Sequence, residues 1–100
     1  MPCLVMSIVS AIRKRHLLGF RYDGRPRVVE PHIYGVNLKS HVVLSAFQLR
    51  GGSASGERVG WKMFLVQEME DVRMLPAAFS GPREDYNPED PSFSAIYAQL

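Results

Sequence analysis

Apolar residues recur at three- and four-residue spacing at the start of the chain, where Val5, Ile8, Ala11 and Ile12 share a face and Arg13, Lys14 and Arg15 crowd the end. That period predicts a helix over residues 2–16, closed by cations that complement its dipole. Beyond it the alternation shortens to that of strands. Residues 17–22 and 27–36 read as a hairpin around Asp23-Gly24-Arg25-Pro26, in which Asp-Gly supplies a positive-φ position and Pro26 fixes the exit. In the second of these strands Val29, Pro31, Ile33 and Gly35 alternate with Glu30, His32 and Tyr34, which places the polar trio on one face. Pro31 lacks a backbone donor, so the strand must bulge or run along an edge there.

Strong β character continues over residues 41–50, and the segment 51–56 (Gly-Gly-Ser-Ala-Ser-Gly) reads as a flexible hairpin loop before a fourth strand over 58–66. A short element at 68–75 follows, with Met69, Val72 and Leu75 inward. Asp90-Pro91 resembles a helix N-cap with proline at the first helical position, and Phe93, Ile96, Tyr97 and Leu100 then share a helical face. The expected architecture is one mainly β (α+β) domain: an N-terminal helix over 1–17, a strongly bent antiparallel sheet over 18–75, and a loop with a docked C-terminal helix over 76–100. Spacing alone does not separate a closed barrel from an open sheet. Leu44 and Phe64 are expected in the core.

One hundred residues leave room for a single core, and 46% hydrophobic with 22% charged residues suit a globular domain that needs neither metal nor disulfides. Cys3 is the one cysteine, which fits a reducing cytoplasm. The apolar run at residues 4–12 is too short to span a bilayer and carries its positive charge behind it, so neither a membrane segment nor an export signal is expected. Residues 1–60 hold nine of the 12 Lys and Arg and three of the 10 Asp and Glu, so the N-terminal part is basic and the tail acidic. Such a split suits an anionic partner, or pairing between the two parts within a monomer or homodimer.

The succession of Ala11-Ile12, Leu18-Gly19-Phe20-Arg21-Tyr22, Arg27-Val28-Val29-Glu30-Pro31, Leu44-Ser45-Ala46-Phe47 and Phe64 before 69–75 resembles the core of the WYL-domain family, from about Ile8 to Leu75. The family's namesake Trp-Tyr-Leu falls at Val42-Val43-Leu44, so only Leu44 is retained. The resemblance implies a small Sm-like, Src-homology-3-like β-barrel of the kind that serves in bacteria as a ligand-sensing regulatory module. Most relatives carry an N-terminal DNA-binding helix-turn-helix, which one short helix cannot form. The chain therefore resembles a stand-alone sensor, acting on a DNA-binding or effector protein in transcriptional regulation or defence.

Candidate binding residues cluster on the basic strands. Arg27 and Tyr22 lie across the hairpin from one another, so a guanidinium and a phenol can converge on an anion or nucleobase, and arginine suits bidentate recognition of phosphate or carboxylate. The competing reading pairs Arg27 with Glu30 or a tail carboxylate and leaves Tyr22 as core. His32 and Tyr34 project with Glu30, and His32 serves either as donor or switch, or as a hydrogen-bonded strand residue. Gln48 and Arg50 share a face with Leu44 and Ala46, at the rim of an apolar row. Lys62, beside Trp61, offers a cation next to an indole able to stack a base or to cover the end of the sheet. No metal-ligand spacing links His16, His32 and His41, no nucleophile constellation emerges, and no cofactor is called for. The expectation is a non-enzymatic binding module for a small anionic or nucleotide-like ligand; the alternative is a single-stranded nucleic-acid-binding barrel.

Overall fold

The computed structural model describes residues 4–51 and 59–100; the expected glycine loop and the start of the fourth strand lie outside them. An α-helix, α1 (Leu4–Lys14), precedes β1 (His16–Tyr22), β2 (Arg25–Asn37), β3 (Val42–Gly51), β4 (Gly60–Leu65), a 3-10 turn (Val66–Glu68), β5 (Glu70–Ala78) and β6 (Phe93–Gln99). Ile8, Ala11 and Ile12 form the buried stripe of α1, as the spacing predicts. The helix stops at Arg15, whose φ of 57° turns the chain out of the helical path. Arg15 then accepts the Phe79 N–H at 2.8 Å, which ties the start of β1 to the end of β5.

All pairings are antiparallel, and the sheet runs β4-β3-β2-β1-β5. Asp23 and Gly24 both have positive φ, 53° and 71°, the twist-matched two-residue turn that Asp-Gly predicts. Opposite Phe20 sits Arg27, and opposite Tyr22 sits Arg25, so Tyr22 and Arg27 are diagonal neighbours on one face. β2 is long enough to serve two partners on the same side: β1 up to Val29, then β6 from Ile33 onward. Pro31 occupies the handover. Among the described residues no pairing joins β4 to β5, so the sheet stays open. Tyr22 of β1 reaches β4, its hydroxyl accepting the Leu65 N–H at 3.0 Å.

A bulge forms beside Pro31 as expected, but it changes the faces. Pro31 pairs with Ala46 and Ile33 with Ser45, so His32 is an extra residue against β3. One extra residue reverses the alternation beyond it. Tyr34 therefore leaves the side of Glu30 and His32 and joins Val29, Leu44 and Ala46 in the core, while Ile33 takes the opposite side. A second slip sets Val28 against Arg50 and Val29 against Gln48. Gln48 and Arg50 consequently lie on opposite faces instead of sharing one: Gln48 is fully buried and Arg50 exposed.

The C-terminal segment is the strand β6, which overturns the expected helix. Asp90 does cap, taking the Ser92 N–H at 2.9 Å, but it closes a turn rather than opening a helix. Beyond it the chain runs extended along β2, with Gly35 opposite Ile96 and Asn37 opposite Phe93. Phe, Ile and Tyr favour strands, and the edge that β1 leaves open supplies backbone partners that a short isolated helix lacks. The face shared by the expected helix does not exist: Tyr97 is 57% exposed.

The core lies between α1 and one face of the sheet. Leu44 and Phe64 are both buried, as expected, and Phe64 meets Phe20 and Tyr22 edge-on at 4.9 and 5.0 Å. Met69 is buried, with Val72 packed against the cluster. The segment from Phe79 to Asp90 covers part of the other face, which explains why β2 is buried from Val29 to Gly35 without interruption.

Candidate functional site

Three of the seven sequence-predicted residues, Tyr22, Arg27 and Gln48, meet at one end of the sheet. Arg27 enters the core side of β2 and is only 4% exposed. One terminal nitrogen donates to Gln48 Oε1 and the other to the Tyr22 carbonyl, both at 3.1 Å. The guanidinium carbon lies 5.5 Å from the Tyr22 ring centre and 5.7 Å from that of Phe64. Its Nε is buried without a hydrogen-bond partner. Burial pulls the Arg27 pKa below its ordinary value, and nearby Asp23 offsets this in part. Neither Glu30 nor a tail carboxylate pairs with it, contrary to the structural alternative weighed from the sequence. Among the described residues no carboxylate forms an ion pair with this buried guanidinium, a costly arrangement that an incoming anion relieves.

Glu30 pairs instead with Arg83, the sole cation after Arg73, in a two-point contact of 2.8 and 3.3 Å. Arg83 also stacks over Phe47, its guanidinium carbon 3.8 Å from the ring centre. Its backbone N–H donates to His32 Nε2 at 3.1 Å, while His32 Nδ1 bonds the Glu30 carbonyl at 2.8 Å. The first bond needs Nε2 bare, so the imidazole is neutral with its proton on Nδ1. Nδ1 fixes the ring on its own strand, and Nε2 holds the 79–90 segment against β2. His32 is fully buried among Trp61, Phe79 and Tyr86.

Burial pushes the His32 pKa below its ordinary 6.5, against the opposing pull of the Glu30 carbonyl and carboxylate. The unfolded chain therefore takes up the proton first as pH falls. Stability from neutral His32 is complete above about pH 6.5 and is lost as pH drops from there through the lower folded value, at up to about 1.4 kcal/mol per unit of depression. Urea unfolding of the wild type and His32→Gln should show the steeper loss in the wild type between about pH 7 and 5. Parallel curves would remove His32 from the titration.

The remaining predicted residues are dispersed. Tyr34 is core, edge-on to Tyr97 at 5.3 Å. Arg50 is exposed on the far face. Lys62 borders a groove of about 370 Å³, together with Ile33, Trp61, Met63, Asp85 and Tyr86. Trp61 covers His32 and Phe47 and donates its indole N–H to Asp85 at 2.9 Å. The sequence reading missed Arg83, Asp85 and Tyr86; the isolation of Arg83 as a lone cation in an acidic tail was the available signal. Among the described residues no group of three or more His, Cys, Asp or Glu is placed to hold a metal, and no helix is long and apolar enough to cross a membrane. The chain matches no protein-family model, no curated protein and no solved structure.

Proposed function

We propose that the chain is a WYL-like ligand-sensing module, non-enzymatic, that takes a small anionic or nucleotide-like ligand at Arg27 and relays its presence to a regulatory partner. The single observation behind this reading is the buried Arg27 guanidinium, with no carboxylate paired to it among the described residues and Nε unsatisfied. The part-exposed Tyr22 ring beside it is able to stack a base, Phe64 backs it from the core, and Gln48 fixes its plane. Tyr22 also ties β1 to the end of β4, so a ligand that shifts Tyr22 alters how these two strands are held together. The antiparallel order β4-β3-β2-β1-β5 is compatible with a small barrel opened between β4 and β5, and the likeness of the Ile8 to Leu75 region to WYL domains supports the same reading.

Calorimetric titration of the wild type and Arg27→Met with inorganic pyrophosphate and adenosine monophosphate tests it. Methionine keeps most of the volume and removes the charge. The variant should bind at least one probe about 1.5 to 3 kcal/mol more weakly. Its free form should keep or raise its melting temperature, because replacing a buried charge by an apolar side chain is often neutral or stabilising. Equal affinity in both proteins, or no binding of either probe to the wild type, refutes the proposal. A salt titration with an oligothymidylate separates the alternative: log K falling with a slope of roughly −0.7 per phosphate over more than about four contacts identifies a nucleic-acid binder instead.

A further inference from the structure

The groove between the outer face of the sheet and the 79–90 segment has chemistry opposite to that of the Arg27 end. Its floor and walls are Ile33, Met63 and the rings of Trp61 and Tyr86, and Asp85 and Asp90 stand at its border. Three features organise it. The Trp61 indole N–H holds one Asp85 oxygen at 2.9 Å, which fixes the carboxylate beside the ring. Tyr86 is held through its hydroxyl, which donates to the Leu100 carbonyl at 3.3 Å and receives Gln99 Nε2 at 2.9 Å. His32, uncharged because Nε2 accepts a hydrogen bond, lies 4.7 Å from the Trp61 ring and 5.0 Å from the Tyr86 ring and brings no positive charge to the base.

Charge decides the occupant. Asp85 and Asp90 put two carboxylates at the groove, while Arg83 on the same segment is engaged with Glu30. Glu84 and Glu89 lie on the same segment, whereas among the described residues Lys62 is the single cation lining the groove. Aromatic rings beside two carboxylates attract an organic cation, through the ring quadrupole and directly. An anion meets repulsion there, and an uncharged ligand forgoes both terms.

We propose that this groove is a binding site for a small alkylammonium ligand, its charged head against Trp61, Tyr86 and Asp85 and its apolar body against Ile33 and Met63. A volume of about 370 Å³ accommodates a ligand of that size. The site shares no residue with the Arg27 cluster.

Trp61 is the only tryptophan in the chain, so its fluorescence reports on the groove directly. The full chain is titrated with choline and, at matched ionic strength, with 3,3-dimethylbutan-1-ol, which has the same shape without the charge. Choline should change the Trp61 emission saturably and bind about tenfold more tightly than the alcohol. In Asp85→Asn/Asp90→Asn, where each amide oxygen can still accept the existing hydrogen bond, that preference should fall to about threefold or less while the alcohol's affinity is unchanged. A parallel titration with Nα-acetyl-lysine methylamide distinguishes a free quaternary ammonium compound from a peptide side chain as the source of the charged head; a preference for choline over the alcohol supports the site whichever source binds more tightly. Equal affinity for choline and the alcohol, no saturable response to either ammonium compound, or a preference that survives in the double variant overturns the proposal.

Discussion

Phe64→Ala should destabilise the protein by about 3 to 5 kcal/mol, a large part of the roughly 5 to 15 kcal/mol that holds a domain of this size together. Phe64 is buried at the centre of the aromatic cluster, edge-on to Phe20 and Tyr22, opposite Leu44 in the ladder, and beneath the Arg27 guanidinium. Removing the ring empties a volume that α1 and the sheet cannot close without parting from their backbone pairings. Urea unfolding should show a lower midpoint with an unchanged slope. A loss under about 1 kcal/mol would place Phe64 outside the core and undo the register of β4.

Gly35→Ala should cost about 3 kcal/mol for a different reason, because the new methyl would overlap the Ala95 carbonyl oxygen and come within 3.0 Å of Ile96 Cα. Both obstacles are backbone, so no side-chain rotation relieves them. β6 must move off β2. Amide hydrogen exchange checks this locally: protection should fall along β6 and at the β2 positions that face it, and stay high in the β1–β2 hairpin. Uniform protection equal to that of the wild type would mean that β6 tolerates the displacement and is not seated as closely as described.

What the sequence made legible follows from which signals were local. The α1 stripe, the Asp23-Gly24 turn and the burial of Leu44 and Phe64 depend on residues a few positions apart, and each appears as expected. The kink at Pro31 was foreseeable from its missing donor. Its effect on Tyr34 was not, because whether a bulge adds a residue before or after the proline depends on the partner strand. The fate of the C-terminal segment was hidden for the same reason. Phe93, Ile96, Tyr97 and Leu100 satisfy a helical period by themselves, and only the free edge of β2, 58 residues back at Ser94 and Val36, gives them a better partner.

At the candidate site, Tyr22, Arg27 and Gln48 came together because the hairpin register and the β2–β3 pairing place them on one face. The partner of Glu30 was not legible because Arg83 reaches it from the far end of the chain. Arg50 was lost to the second slip in β3, which no local pattern announces.

The double service of β2 has a kinetic consequence. Its N-terminal half is completed early by a neighbouring hairpin, but its C-terminal half waits for β6, which arrives only when the chain closes a loop of nearly sixty residues. Pairings of such long range slow folding, because the entropy of loop closure is lost before the contacts form. Until then the Ile33 to Asn37 edge lies open, and β6 carries neither a charge nor a proline from Phe93 to Gln99 to restrict what it joins. At high concentration the same strand from another copy competes for that edge on equal terms, so dimers with exchanged C-terminal strands are the expected by-product of refolding.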